Sequence, residues 1–192
     1  PVRTVQGVLQ PVLQDVIGYK VPVTGAGRTD AGVHAREQVV SFEAERIPIE
    51  RWVRVLNHRL PRDLLALSAE YVPDTFHPRY DVVAKMYRYT IETAPLPNIF
   101  NRRFSTHVTE ALDVERVKQA SAHLIGTHDF TSFSAARAQV RDRVRTLTTA
   151  AIHTEGTKID LLFKGNGFLQ YMVRILTLTL VAVERAERRP DD

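Results

Sequence analysis

Residues 143–165 read RVRTLTTAAIHTEGTKIDLLFKG, two runs of strand-forming residues on either side of Glu155 and Gly156. Such runs flanking a glycine-containing turn are the local signature of a β-hairpin, so the chain is predicted to reverse near Glu155 and Gly156. That hairpin commits this part of the chain to antiparallel sheet. Helical patterns surround it. Residues 4–17 carry apolar side chains at helical spacing, although Pro11 disturbs the pattern. Pro48 opens a predicted helix in IPIERWVRVLNHRL, where its missing N–H costs nothing, and Pro61 ends it. DVERVKQASAHLIG is predicted as a helix with Asp113 as N-cap and Gly126 as its stop. A last helix is predicted over 168–188.

Shorter strands are predicted in YKVPVT, EQVVSFEAE and LLALSAEYV. AKMYRYTIET is a further strand, with Met86, Arg88 and Thr90 on one face and Tyr87, Tyr89 and Ile91 on the other. Strands joined by hairpin-length turns and mixed with helices predict an α+β fold, a largely antiparallel sheet with helices packed on one side. APLPNIFNRR, with two prolines and an asparagine, marks the expected boundary between sub-domains at 1–94 and 95–192.

The most apolar piece, 175–183, is too short to span a bilayer and carries two threonines, and no basic-then-apolar stretch stands at the start of the chain. The chain has no cysteine, which excludes a disulfide framework and thiolate chemistry and fits a reducing cytoplasm. The net charge is +4, and of 26 basic residues only five are lysine. Arginine is the better fork for phosphate and stacks on flat rings, so the balance suggests a polyanion partner as readily as a solvated basic surface.

The chemistry concentrates in TGAGRTDAGVHA, residues 24–35, which holds three of the nine glycines with Arg28, Asp30 and His34. Its spacing matches neither GxGxxG before a helix nor GxxxxGK[ST], so a nucleotide-phosphate loop is poorly supported. A tight turn in which Asp30 caps local N–H groups is the plain structural reading.

GRTDAGVHA closely resembles the active-site motif of the pseudouridine synthases that act on the anticodon arm of tRNA. RTVQG, LNHRLP, DTFHPRYDVVAKMYRYTI, GTHDFTSFS and GNGFLQYMVR resemble further blocks of that family, in family order and over nearly the whole chain. The resemblance implies an enzyme that isomerises uridine to pseudouridine without cofactor or metal, with two similar sub-domains around a basic cleft. It also implies a homodimer across which one tRNA lies. Asp30 matches the catalytic aspartate, acting either as nucleophile or as assistant to glycosidic cleavage. Arg174 matches the arginine that pairs with the aspartate. Tyr87 matches the tyrosine that stacks on the flipped uracil, and Arg28 the arginine that fills the space the uracil leaves. Tyr89 shares the face of Tyr87, so one of the two can be a core residue.

His34 is expected to support the loop by hydrogen bonds. The seven histidines lack metal-ligand spacing. Arg79, Arg88, Arg102, Arg103, Arg137, Arg141, Arg143 and Arg145 are diffuse candidates for phosphate contact.

Two rival readings stand beside the synthase: a non-catalytic RNA-binding fragment of the same family, and a hydrolase using Asp30 as general base. The family pattern also has a strand before TVQG and a further helix and strand after the last helix here, so the chain is expected to be a shortened or partial member. Leu178, Glu184 and Ala186 stand where the family tends to have glycine. Leu178 lies one helical turn from Arg174 and is expected to overpack the site if that glycine gives close packing.

Overall fold

The computed structural model describes residues 2–45, 47–110, 112–136 and 140–184. Arg137, Ala186 and the expected end of the last helix at Arg188 lie outside them. The chain forms two compact units. The first comprises the chain up to Thr29 together with Ala35–Val82. The second comprises Asp30–His34 and the chain from Val83 onward.

In the first unit, α1 spans Val5–Ile17. The Thr4 hydroxyl caps it by accepting from the Gly7 N–H at 3.0 Å, and Gly18, at φ 92°, closes it by donating to Gln14 O at 2.8 Å. The helix continues through Pro11. Pro11 is exposed, so its missing hydrogen bond falls on the solvent side. The opposite face buries Leu9, Leu13 and Ile17 against Trp52 and Leu56 of α2, Ile49–Arg59. The first two strands are shorter than predicted. β1, Thr24–Gly25, pairs antiparallel with β2, Val40–Ser41, with Thr24 opposite Ser41 and Gly25 opposite Val40. The predicted strand at 64–72 is absent. Leu64 and Ala66 do turn inward onto this core, but the Asn57 side chain takes the backbone of Ala66, accepting its N–H at 2.7 Å and donating to its carbonyl at 2.9 Å. A side-chain amide thus replaces a ladder partner at that position. At the surface, Arg3 grips Asp63 with two hydrogen bonds, which hold the Asp63 carboxyl down to about 2.

The second unit is a five-stranded sheet with helices on one face. β3 is Lys85–Glu92 and β4 Thr106–His107; α3, Val114–Ala122, leads to β5, Gly126–Asp129. A 3-10 turn at Thr131–Phe133 precedes the hairpin of β6, Val144–Glu155, and β7, Lys158–Gly165. α4, Met172–Glu184, follows. The spatial order is β4-β3-β7-β6-β5, and only the short β3–β4 pair is parallel. The hairpin turns where expected, with Gly156 at φ 58°. Asp113 caps α3 by accepting from the N–H groups of Glu115 and Arg116. α3 stops four residues short of Gly126, which at φ 118° opens β5 instead.

The two faces of β3 divide as the alternation predicts. Tyr87, Tyr89 and Ile91 face inward, paired across to Phe163, Leu161 and Ile159 of β7. Met172, Leu176, Leu180 and Val183 of α4 and Val117 and Ala120 of α3 cover that face. On the other face, the half-buried Asp160 carboxylate is engaged by Thr90, Lys158 and Arg88. Burial works to raise its pKa, but those hydrogen bonds and charges hold it below the ordinary value.

β6 carries one extra residue. Leu147 lies opposite Gly165 and Thr149 opposite Lys164, leaving Thr148 as a bulge. Gly165 sits tight in that corner, because a Cβ there would come within 2.6 Å of Thr146 O. Leu178 is 67% exposed, so it overpacks nothing among the described residues, contrary to expectation. Among the described residues, no helix is long and apolar enough to cross a membrane.

Candidate active site

Asp30 begins a tight turn within the second unit. Its carbonyl accepts from the Val33 N–H at 3.1 Å, and Gly32, third in the turn, has φ 81°. This is the pattern of a type II turn, whose third position favours glycine because a side chain there is strained. The order Asp-Ala-Gly-Val therefore has a backbone cause. The turn is closed by the Asp30 carbonyl rather than by its side chain. The Asp30 carboxylate has no hydrogen-bond partner among the described residues.

Arg174 secures that turn from the first turns of α4. Its Nη2 donates to the Ala31 carbonyl at 2.7 Å. The expected ion pair with Asp30 is not among the ion pairs of the described residues. The arginine holds the backbone next to the aspartate and leaves the carboxylate open.

The start of α4 explains how Arg174 comes to be there. The predicted helix start at 168 is displaced to Met172, because Tyr171 has φ 63°, the one positive φ outside glycine among the described residues. Its carbonyl accepts from the Ile175 N–H at 3.0 Å, while the Gln170 carbonyl takes the Ala135 N–H at 3.1 Å. A left-handed aromatic residue costs about 1–2 kcal/mol. Tyr171 is 44% exposed. Tyr171→Asn, which suits the left-handed region, is therefore expected to raise stability by about 1 kcal/mol in urea unfolding. An unchanged or lower midpoint would show that the ring's contacts outweigh the strain.

Tyr87 stands near the start of β3, half-buried, with its ring edge-on to Phe168 at 4.8 Å and 71°. Burial, and secondarily the Asp30 charge, push the Tyr87 phenol above its ordinary pKa. Tyr89, one pair further along the same face, packs on the core, and its hydroxyl bonds Thr106 Oγ1 at 2.8 Å.

The structure brings Asp30, Tyr87 and Arg174 into one unit and adds Phe168, which the sequence reading did not single out. Its signal was present in GNGFLQYMVR, but a ring partner 81 positions away cannot be read from spacing. Arg28 belongs to the first unit and its side chain is exposed. His34 does not support the turn by hydrogen bonds as expected; its ring packs against Phe104 at 4.5 Å. Of the arginines singled out for phosphate contact, three are engaged locally. Arg88 pairs with Asp160, Arg143 donates to Ser134 Oγ, and Arg145 donates to the carbonyls of Asp142 and Val144.

A profile of the tRNA pseudouridine synthase family matches residues 1–81 and 120–192. The tRNA pseudouridine synthase A of Brevibacillus brevis is 44% identical over 188 residues, covering 97% of this chain and 77% of the relative. The enzyme of the same name from Halalkalibacterium halodurans is 44% identical over 192 residues, 99% of this chain and 73% of the relative. That of Bacillus subtilis is 41% identical over 193 residues, 99% and 78%. With a profile matching most of its length and relatives so similar over nearly all of it, this chain belongs to the tRNA pseudouridine synthase family.

Proposed function

We propose that this protein isomerises uridine to pseudouridine in the anticodon stem-loop of tRNA, with Asp30 as the catalytic carboxylate. The observation that carries the assignment of the site is the bond from Arg174 to the Ala31 carbonyl, which fixes the Asp30 turn to the helix whose approach carries Phe168, the ring on which Tyr87 packs. The reaction breaks the bond between C1′ and uracil N1 and makes one between C1′ and C5. The C5 hydrogen leaves as a proton and N1 gains one, so no atom or electron is lost. Asp30 serves either by adding to the sugar or base or by assisting glycosidic cleavage.

The target base is inside a stem-loop and has to leave its stack to be reached. Tyr87, backed by Phe168, offers the aromatic surface on which it rests. Arg28 fills the space it leaves. Arg174 holds the turn so that the Asp30 carboxylate stays in register with the base. The reading includes a homodimer in the cytoplasm and needs no cofactor or metal.

The test is release of tritium from tRNA labelled at uridine C5, without added metal. Release accompanied by pseudouridine supports the proposal. Binding without release favours the non-catalytic RNA-binding reading, and free uracil favours a hydrolase.

Arg174→Lys keeps the charge but loses the planar donor that reaches Ala31. Tritium release at saturating RNA is expected to fall at least about tenfold, since small misplacements of a reacting group cost that much or more. Arg174 is exposed, so the melting temperature should hardly move. A parental rate would show that the Ala31 contact does not position Asp30.

A further inference from the structure

We infer that the loop at residues 95–105 is a second RNA-binding element, gripping the strand beside the reacting uridine through Phe100, Arg102 and Arg103. The inference rests on the function proposed above. The loop springs from a clamped base: β4 pairs with the end of β3, Val108 donates to Glu92 O, and a His107 ring nitrogen bonds Ala94 O at 2.7 Å. Above that base it caps itself. The Asn98 side chain accepts from the Phe100 N–H at 3.0 Å, and the Asn101 carbonyl accepts from Phe104 and Ser105. A loop so braced holds a fixed shape with its apolar side chains turned outward, Phe100 at 86% exposure and Leu96 at 80%. Exposed aromatic side chains on a braced loop carry the mark of an interaction surface.

Charge and position choose the partner. Residues 94–109 contain no acid. Arg102 and Arg103 are exposed and have no ion-pair or hydrogen-bond partner among the described residues, unlike Arg88, Arg143 and Arg145. Arginines beside exposed aromatic rings suit a polyanion whose bases can stack, which is unpaired RNA. The loop also reaches the catalytic turn directly, through the Phe104 ring against His34. RNA held at 95–105 is therefore next to RNA held at Asp30.

The experiment compares the parent chain with Phe100→Ala and with the pair Arg102→Ala and Arg103→Ala. Binding of an anticodon stem-loop RNA is measured across a salt series, with tritium release and sedimentation on the same preparations. The double arginine variant is expected to flatten the slope of log K against log salt by about 1.4–1.8, two phosphate contacts' worth. Phe100→Ala is expected to weaken binding roughly fivefold to a hundredfold, as loss of one stacked base does. In both, the loss falls on KM rather than kcat. Parental affinity and slope in both variants overturn the inference. So does a shift from dimer to monomer in Phe100→Ala with RNA affinity per chain unchanged, which would make the loop a subunit contact. A parent that binds RNA but releases no tritium defeats the proposed function alone, because the slopes still decide the loop. A parent that binds no RNA overturns both.

Discussion

Asp30→Asn is expected to lose pseudouridine formation to below detection while remaining folded and bound to tRNA. Asparagine keeps the shape of the side chain and removes the charge. The turn does not depend on the carboxylate, since it is closed by the Asp30 carbonyl and by Gly32 at φ 81°. Nor does Arg174 lose a partner, because its hydrogen bond goes to the Ala31 carbonyl. The substitution therefore spares every described contact that shapes this turn, and the melting temperature should stay within a few degrees, as for a surface change. Binding should stay within about threefold, given that Tyr87 and the exposed arginines are untouched. The measurement is tritium release and RNA affinity on one preparation. Release at near the parental rate would remove Asp30 from the chemistry. Lost binding in a folded protein would make it a contact residue instead.

Phe163→Ala is expected to produce the largest loss of stability. Phe163 is fully buried in the middle of β7, opposite Tyr87 on one side and Ala150 on the other. Removing a buried phenylalanine costs about 3–5 kcal/mol in transfer and cavity terms. For a chain of this size that lowers the melting temperature by about 10 °C. Tyr87 also loses its cross-strand neighbour, so uridine turnover should drop at temperatures where the protein is still folded. Met86→Ala is the control: it lies on the other face of β3, 64% exposed, and is expected to change stability by about 0.5 kcal/mol or less. Equal effects of the two substitutions would show that the sheet does not bury the face assigned to it.

Much of this architecture can be read from local chemistry. Thr4 and Gly18 bound α1, Asp113 caps α3, and Gly156 turns the hairpin, each for a reason confined to a few neighbouring residues. The alternation along β3 sorts Tyr87 from Met86 because one face of that strand is buried. What fails is what depends on distant partners. The stretch at 64–72 has strand-like residues, yet its position beside α2 is settled by Asn57, whose amide competes for the Ala66 backbone. The late start of α4 depends on a left-handed tyrosine, which no propensity favours. At the site, motif resemblance gathers Asp30, Tyr87 and Arg174, but not the details of their contacts. Arg174 was expected on the carboxylate and bonds the neighbouring carbonyl. His34 was expected to support the loop by hydrogen bonds and instead lies against Phe104, a ring 70 positions later.

The bulge at Thr148 gives the gene a freedom that the rest of the hairpin lacks. In an ordinary strand, losing one codon turns every residue on one side of the gap over, exchanging buried for exposed. Here Leu147 points inward, Thr148 and Thr149 do not, and Ala150 points inward again. Without Thr148 the sequence would read inward, outward, inward with no break. Leu147 could keep Gly165 and Thr149 could keep Lys164 as partners. Loss of either threonine codon at 148 or 149, which leaves the same chain, would regularise the strand, whereas loss of Ala150 or Ala151 would invert it or leave the bulge to absorb the slip. Length variation in this part of the chain is thus compatible with an intact core at the two threonine codons and hazardous at the alanine codons that follow.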